Sequence, residues 1–285
     1  MRPRRDTRIM YSEILYDVED PIATITLNRP DQLNAWTNQM GNEVKHAIGE
    51  AEADPSVVVI ILTGAGRGFC AGADMRGLQS LSQGERETGA GPRDDTLDAD
   101  PGQADMEEGF RGTYSYLMSV RKPIVAAING PCAGMAVPIT LACDIRFASD
   151  TAVFTSAFAR RGLIAEWGCA WLLPRLVGTA HAMDLLLSAR KIDAAEAERV
   201  GLVNRVLPVA ELMKFTREYC TDMATNCSPA SMSVIKRQVY ESLQEPFSAS
   251  NEKANHEMRE TFQRDDFKEG VQSFMQRRAP KFPRV

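Results

Sequence analysis

Histidine is scarce and cysteine is scattered. The three histidines, His46, His181 and His256, lie far apart in sequence. The six cysteines, at positions 70, 132, 143, 169, 220 and 227, never form Cys-x-x-Cys. This pattern speaks against a zinc site, and no metal is expected. No export leader is expected either. Met1-Arg2-Pro3-Arg4-Arg5 is basic, but Asp6, Thr7 and Arg8 follow where a signal peptide needs an apolar core. The thiols are therefore expected to be reduced and mostly buried, and the compartment cytoplasmic. No long hydrophobic run occurs. The longest aliphatic stretch is Val57 to Leu62, far short of the ~20 residues that span a bilayer, so no membrane partner is expected. Positive charge is not in excess. A net charge of −5 argues against a general nucleic-acid binder. Internal repeats of 20–50 residues are absent.

What is present is an ordinary globular composition, 44% apolar and 25% charged over 285 residues. A chain of this size buries a core without disulfide or metal. Ile9 to Val18 and Ile22 to Leu27 read as paired strands around Asp20-Pro21. Thr37 caps a helix to about Ala53, with Met40, Val44, Ala47, Ile48 and Ala51 on one face. Val57 to Leu62 has the pattern of a strand covered on both sides. Gly64, Gly66, Gly68 and Gly72 follow as a loop. Residues 76–105 hold five glycines and two prolines and read as a long loop. A helix is expected from about Met106 to Ser119, then a buried strand at Ile124 to Ile128 and a turn at Asn129-Gly130-Pro131. Gly134 to Cys143 is small and apolar, like a buried helix. Ile145 to Ala148 and Ala152 to Phe154 read as short strands. Beyond Gly162 the chain is mainly helical, with breaks near Gly178, Gly201, Pro208, Ser228-Pro229 and Pro246. The fold class is α/β, with an α/β core over 9–200 and a helical region over 201–285.

Three segments carry a resemblance. Gly68-Phe69-Cys70-Ala71-Gly72-Ala73-Asp74-Met75 follows a buried strand. Lys122-Pro123-Ile124-Val125-Ala126-Ala127-Ile128-Asn129-Gly130 leads into a small-residue helix ending Ala142-Cys143-Asp144. Arg161-Gly162-Leu163-Ile164 leads through Gly168 to Leu173-Pro174-Arg175-Leu176-Val177-Gly178. In this order and at these separations they resemble the crotonase, or enoyl-CoA hydratase/isomerase, superfamily, from roughly Tyr11 to Phe282. The resemblance implies a spiral of ββα turns, a helical C-terminal region that takes part in trimerisation, and an assembly of one trimer or two. It implies an acyl-CoA thioester as small-molecule substrate, with coenzyme A arriving as part of that substrate and no separate cofactor.

Family chemistry passes through an enolate-like state, with charge on the thioester oxygen. Two backbone N–H donors stabilise it, each typically by ~2.7–4 kcal/mol. By the family pattern Ala73 supplies one and Met135 the other. Many relatives have a run of glycines where this chain has Gly134-Met135-Ala136. Methionine keeps the N–H but reshapes the space. The same pattern lays the CoA portion along Ala71, Gly72, Ala73, Asp74 and Met75, with backbone contacts from Leu33, Asn34 and Ala35. Arg29 and Arg277 are candidates for phosphate contacts, or ordinary solvated charges.

Hydratases of the usual type hold a water between two glutamates. At those positions this chain has Pro138 and Phe158, and neither can move a proton. Glu166, in Ile164-Ala165-Glu166-Trp167-Gly168, matches the place of the catalytic aspartate in dienoyl-CoA isomerases and aromatic-CoA dehalogenases. A carboxylate beside an apolar ligand suits the shuttling of one proton. Glu166 also reads as an acid at a helix N-terminus. Dehalogenation is disfavoured because no histidine lies near. Isomerase-type proton transfer leads, with an enoyl-CoA hydratase of unusual mechanism or a non-catalytic acyl-CoA binding protein as alternatives. A serine peptidase on the related spiral would need a histidine between His46 and His181, and there is none. The acyl pocket is expected to be shaped by Trp36, Met135, Phe158 and the long loop, and Asp144 is expected to be structural.

Overall fold

The computed structural model describes residues 11–84 and 97–285. The expected start of the first strand at Ile9 and the middle of the long loop fall outside this range. Strand β1 (Ile14–Glu19) pairs antiparallel with β2 (Ile22–Leu27). Helix α1 (Asn38–Ala53) then crosses to β3 (Val59–Gly64), parallel to β2. The Thr37 hydroxyl caps α1 by accepting from the Met40 amide at 3.0 Å. The five apolar residues expected on its inner face, Met40, Val44, Ala47, Ile48 and Ala51, are all buried. Strands β4 (Ile124–Ile128) and β6 (Ile145–Ser149) continue the sheet in parallel, and β9 (Arg205–Leu207) closes its far edge. The order is β1-β2-β3-β4-β6-β9. A second sheet joins β5 (Cys132–Ala133), β7 (Val153–Thr155) and β8 (Ile192–Asp193).

The aliphatic strands are covered on both faces, as their unbroken apolar pattern requires. Ile60 and Leu62 face the core shared with α1. Val59 and Ile61 face the other side, with Phe147 and Leu212. Helix α6 (Val209–Asn226) covers this second face. There Phe147 meets Phe215 and Tyr219 edge-on, each at 5.1 Å between ring centroids.

Three expectations change. The helix expected over Met106 to Ser119 is instead two short 3-10 turns, Glu108–Arg111 and Ser115–Met118. Gly112 between them is extended (φ −69°, ψ −178°) and ends the first turn. The loop expected from residue 76 begins with helix α2 (Met75–Ser82). Helix α3 (Ala136–Leu141) is shorter than the Gly134 to Cys143 stretch, because Cys132–Ala133 is a strand and Gly134 turns the chain.

The C-terminal half is helical: α4 (Cys169–Ser188), α5 (Ala194–Arg199), α7 (Pro229–Ser242), α8 (Phe247–Thr261) and α9 (Asp265–Gln276). Gly178 is non-helical (φ 77°, ψ 158°) and divides α4, as its place among the expected breaks suggests. Asp144 ties this region to the sheet. Its Oδ2 accepts from the Ile124 amide at 2.7 Å and pairs with the buried Lys236 Nζ at 2.8 Å. Its Oδ1 accepts from Tyr240 Oη at 3.0 Å. A carboxylate with three charge-matched or hydrogen-bonded partners is well compensated for its burial, so the structural reading of Asp144 holds. Among the described residues no helix is long and apolar enough to cross a membrane.

Candidate active site

Two glycine turns abut beyond the C-terminal ends of β3 and β4. The chain after β3 is zipped to the chain after β4. Phe69 and Cys70 amides both donate to Pro131 O at 3.1 Å, and the Ala133 amide donates to Cys70 O at 3.0 Å. Cys70 and Cys132 face each other in a parallel bridge. Gly72 follows with φ +94° and Gly134 with φ +55°. A Cβ on Gly72 would lie 2.8 Å from Ala133 O and 3.4 Å from Gly134 Cα. Close approach of two backbones, together with left-handed φ, demands glycine here.

Ala73 and Met135 are the residues immediately after these glycines. Trp36 forms a parallel bridge with Ala73, in which the Trp36 amide donates to Gly72 O (2.8 Å) and the Asp74 amide donates to Trp36 O (2.9 Å). That pattern uses the Gly72 carbonyl and the Asp74 amide and leaves the Ala73 N–H directed away. Met135 is the N-cap of α3, where the first amides have no intrahelical acceptor. Among the described residues neither amide has a hydrogen-bond acceptor. Gly134 N donates to Thr155 O at 3.0 Å, which fixes the second turn against β7.

The turns are held from behind by Asn34, fully buried and itself left-handed (φ 54°). Its Nδ2 lies within 3.1 Å of three carbonyls, Ala65, Gly68 and Phe69, and its Oδ1 accepts from the Arg29 amide at 2.8 Å. The sequence reading gave this residue only a backbone role. The one signal in the sequence is the residue type, since asparagine tolerates left-handed backbone better than most residues. Arg29 is neither a solvated charge nor free for a phosphate. Its guanidinium donates to Ala35 O at 2.5 Å and Asp74 Oδ2 at 3.0 Å, and lies 3.4 Å from Glu13 Oε1. Burial alone would raise the Asp74 carboxyl. The Arg76 amide and the Arg29 guanidinium outweigh burial and hold it below the usual carboxylate range. Arg277 is exposed and closes α9 in a left-handed conformation.

Along the segment matched to CoA, Ala71 and Met75 are exposed, Ala73 and Asp74 half-buried, and Gly72 buried. Ala35 is half-buried beside them, and the Ala71 amide donates to Leu33 O at 2.9 Å. Burial pushes the Cys70 thiol up to about 12, so it is no nucleophile near neutrality. Among the described residues no three His, Cys, Asp or Glu side chains gather as metal ligands.

Pro138 and Phe158 are both buried. Glu166 lies on the turn between the 3-10 helix Ala159–Arg161 and α4, half-buried, and its carboxylate has no hydrogen bond or ion pair among the described residues. It sits two residues ahead of Gly168, the N-cap of α4, and its carbonyl accepts from the Cys169 amide at 2.9 Å. Trp167 next to it is left-handed (φ 53°) and 47% exposed. Tyr114, which sequence reasoning missed, joins the two sides. Its ring meets Trp36 edge-on at 5.8 Å and Trp167 edge-on at 4.9 Å. Nothing local in the sequence signals this, because the three rings come from distant segments.

The enoyl-CoA hydratase/isomerase family model matches residues 17–284. A probable enoyl-CoA hydratase of Mycobacterium leprae is 37% identical over 276 residues, covering 95% of this chain and 98% of the relative. A 1,2-epoxyphenylacetyl-CoA isomerase of Escherichia coli is 30% identical, covering 96% and 99%. The crystal structure of a probable enoyl-CoA hydratase/isomerase from Mycobacterium abscessus superposes with a TM-score of 0.80 at 28% identity, covering 96% of this chain and 99% of that one. A family model spanning nearly the whole chain, relatives matched from end to end and a shared spiral fold lead to one statement: this chain belongs to the enoyl-CoA hydratase/isomerase (crotonase) superfamily and is an enzyme of that family.

Proposed function

We propose that this enzyme binds an acyl-CoA thioester across the two glycine turns and moves a proton beside the thioester carbonyl. In this reading the Ala73 and Met135 amides donate to the thioester oxygen. Glu166 accepts a proton as the C–H bond breaks, charge passes to that oxygen, and the carboxylic acid returns the proton to another carbon of the acyl group. The CoA portion follows Ala35 and Ala71 to Met75. The observation that carries the reading is the apposition of the two turns, with neither following amide paired among the described residues. Buried Pro138 and Phe158 at the usual glutamate positions favour isomerisation over two-carboxylate hydration. The names of the two relatives, one a hydratase and one an isomerase, are compatible with either outcome. As assembly we infer a homotrimer or a dimer of trimers, supported by exposed apolar side chains on the C-terminal helices such as Ile235 and Phe247.

The test is Glu166→Gln with a panel of 2-enoyl-, 3-enoyl- and dienoyl-CoA thioesters in heavy water, following positional isomers and deuterium uptake by mass spectrometry. Turnover is expected to fall about 10²–10⁴-fold, the usual worth of a positioned acid–base group. Activity retained within a few fold overturns the role of Glu166. Hydration that survives the substitution shifts the reading to a hydratase working without this carboxylate.

A further inference from the structure

Three rings connect the two halves of the proposed site. Trp36 is bonded on both sides of Ala73 through its backbone. Its indole is 95% buried, with Gly41 of α1 close against it. A Cβ on Gly41 would come within 3.1 Å of Nε1. Tyr114 packs edge-on against this indole (79°), and Trp167, adjacent to Glu166, packs edge-on against Tyr114 (86°). The chain of rings therefore starts at Trp36, bonded to the oxyanion turn, and ends at Trp167, the residue after Glu166. Trp36 is sealed in the core, whereas Trp167 remains 47% exposed and leaves aromatic surface uncovered. In the proposed site an acyl group reaching from Ala73 to Glu166 runs from the residue bridged to Trp36 to the residue next to Trp167.

We infer that the acyl group is aryl-bearing, and that Trp167, positioned by Tyr114, selects it. This rests on the thioester site proposed above and names the substrate class for it. Planar rings with a negative face and a positive edge attract a further aromatic ring in offset or edge-on geometry beyond what burial supplies. A saturated chain or ring gains burial alone. Tyr114 packs against both indoles and so gives the Trp167 ring a packed neighbour on one side, while its other aromatic surface stays open.

The experiment compares phenylacetyl-CoA with cyclohexylacetyl-CoA by calorimetry on the full chain. Both acyl groups have a six-membered ring and eight carbons. The saturated one is the more apolar, so burial alone favours it. Neither compound requires turnover, so the result is independent of Glu166. Phenylacetyl-CoA is expected to bind ~3–10-fold more tightly in the parent protein. Trp167→Leu should abolish or invert that ratio and Trp167→Phe should keep part of it, with affinity for free CoA as the control for folding. Equal or tighter binding of the cyclohexyl ester to the parent protein, or a ratio unchanged in Trp167→Leu, overturns the inference and leaves the thioester site standing. If neither ester binds more tightly than free CoA, the acyl site itself is wrong and the inference falls with it.

Discussion

The two sides of the site are built differently. On the oxyanion side, Gly72 and Gly134 abut, the backbones of Cys70 and Cys132 pair, and buried Asn34 and half-buried Arg29 hold the loop through carbonyls and Asp74. On the other side, Arg161 to Trp167 is largely exposed. Ile164 is 78% exposed, and Glu166 has no polar side-chain partner among the described residues. The part that stabilises charge is thus over-determined by backbone and buried polar groups. The part proposed to move the proton sits on a lightly held turn. Electrostatic stabilisation needs donors fixed before the reaction, whereas a carboxylate must alternate between accepting and releasing a proton, and a strong ion pair would bind it to one state.

This contrast can be broken or sharpened in several ways. The largest effect is expected from Gly72→Ala. A Cβ there meets Ala133 O at 2.8 Å in a left-handed backbone, so the turn must shift and the Ala73 amide with it. A loss of about 10²–10³-fold in kcat is expected, comparable to removing one oxyanion donor. A loss under tenfold would show that this side tolerates movement.

Next comes Asn34→Ala, which removes a donor from the Ala65, Gly68 and Phe69 carbonyls and the acceptor of the Arg29 amide, with Gly68 O keeping a second donor in Asn129 Nδ2 at 3.3 Å. Denaturant unfolding should report about 3 kcal/mol of lost stability. By contrast, Glu166→Gln should alter stability by less than about 0.5 kcal/mol, as for a residue without stabilising contacts. Equal costs at the two positions would erase the distinction.

A smaller effect concerns acid. The Asp74 carboxyl lies below its ordinary range when folded. It therefore contributes stability above the unfolded carboxylate pKa, and this is lost as pH falls through the lower folded value. The stability gap between the parent and Asp74→Asn, about 1–2 kcal/mol near neutrality, should shrink below about pH 4. A gap independent of pH would assign the effect to packing.

The smallest difference is one of opening rates. Cys227 is exposed and should react at once with a thiol reagent. Cys70 and Cys169 are fully buried, and burial pushes each thiol up to about 12. Their relative labelling therefore follows local opening. Mass spectrometry should find Cys169, just after the Glu166 turn, modified several-fold faster than Cys70. The reverse order would place the looser structure on the oxyanion side.

Much of the frame was legible in the sequence. Strands β2 and β4 fall where their apolar runs place them, and Thr37 announces α1. The third strand is displaced by two residues from the Val57 to Leu62 run, because Val57 and Val58 are already buried in the approach to the sheet. Over 106–119 the apolar side chains are spaced as in a helix, yet Gly109 and Gly112 allow two tighter turns instead. The glycine turns were legible since left-handed backbone has few residue choices. Arg29 and Tyr114 were not. Their partners, Asp74 for one and Trp36 and Trp167 for the other, are distant in sequence, and only the fold brings them together.

Asp144 has a consequence for modularity. One carboxylate receives the first amide of β4, an ammonium and a phenol from α7. A truncation ahead of α7 would strand that carboxylate and uncover the apolar side chains of Leu141 and Leu172 that line the cleft beside it. The C-terminal helices are thus not an exchangeable module, and grafting them between homologues requires carrying Asp144, Lys236 and Tyr240 as one unit.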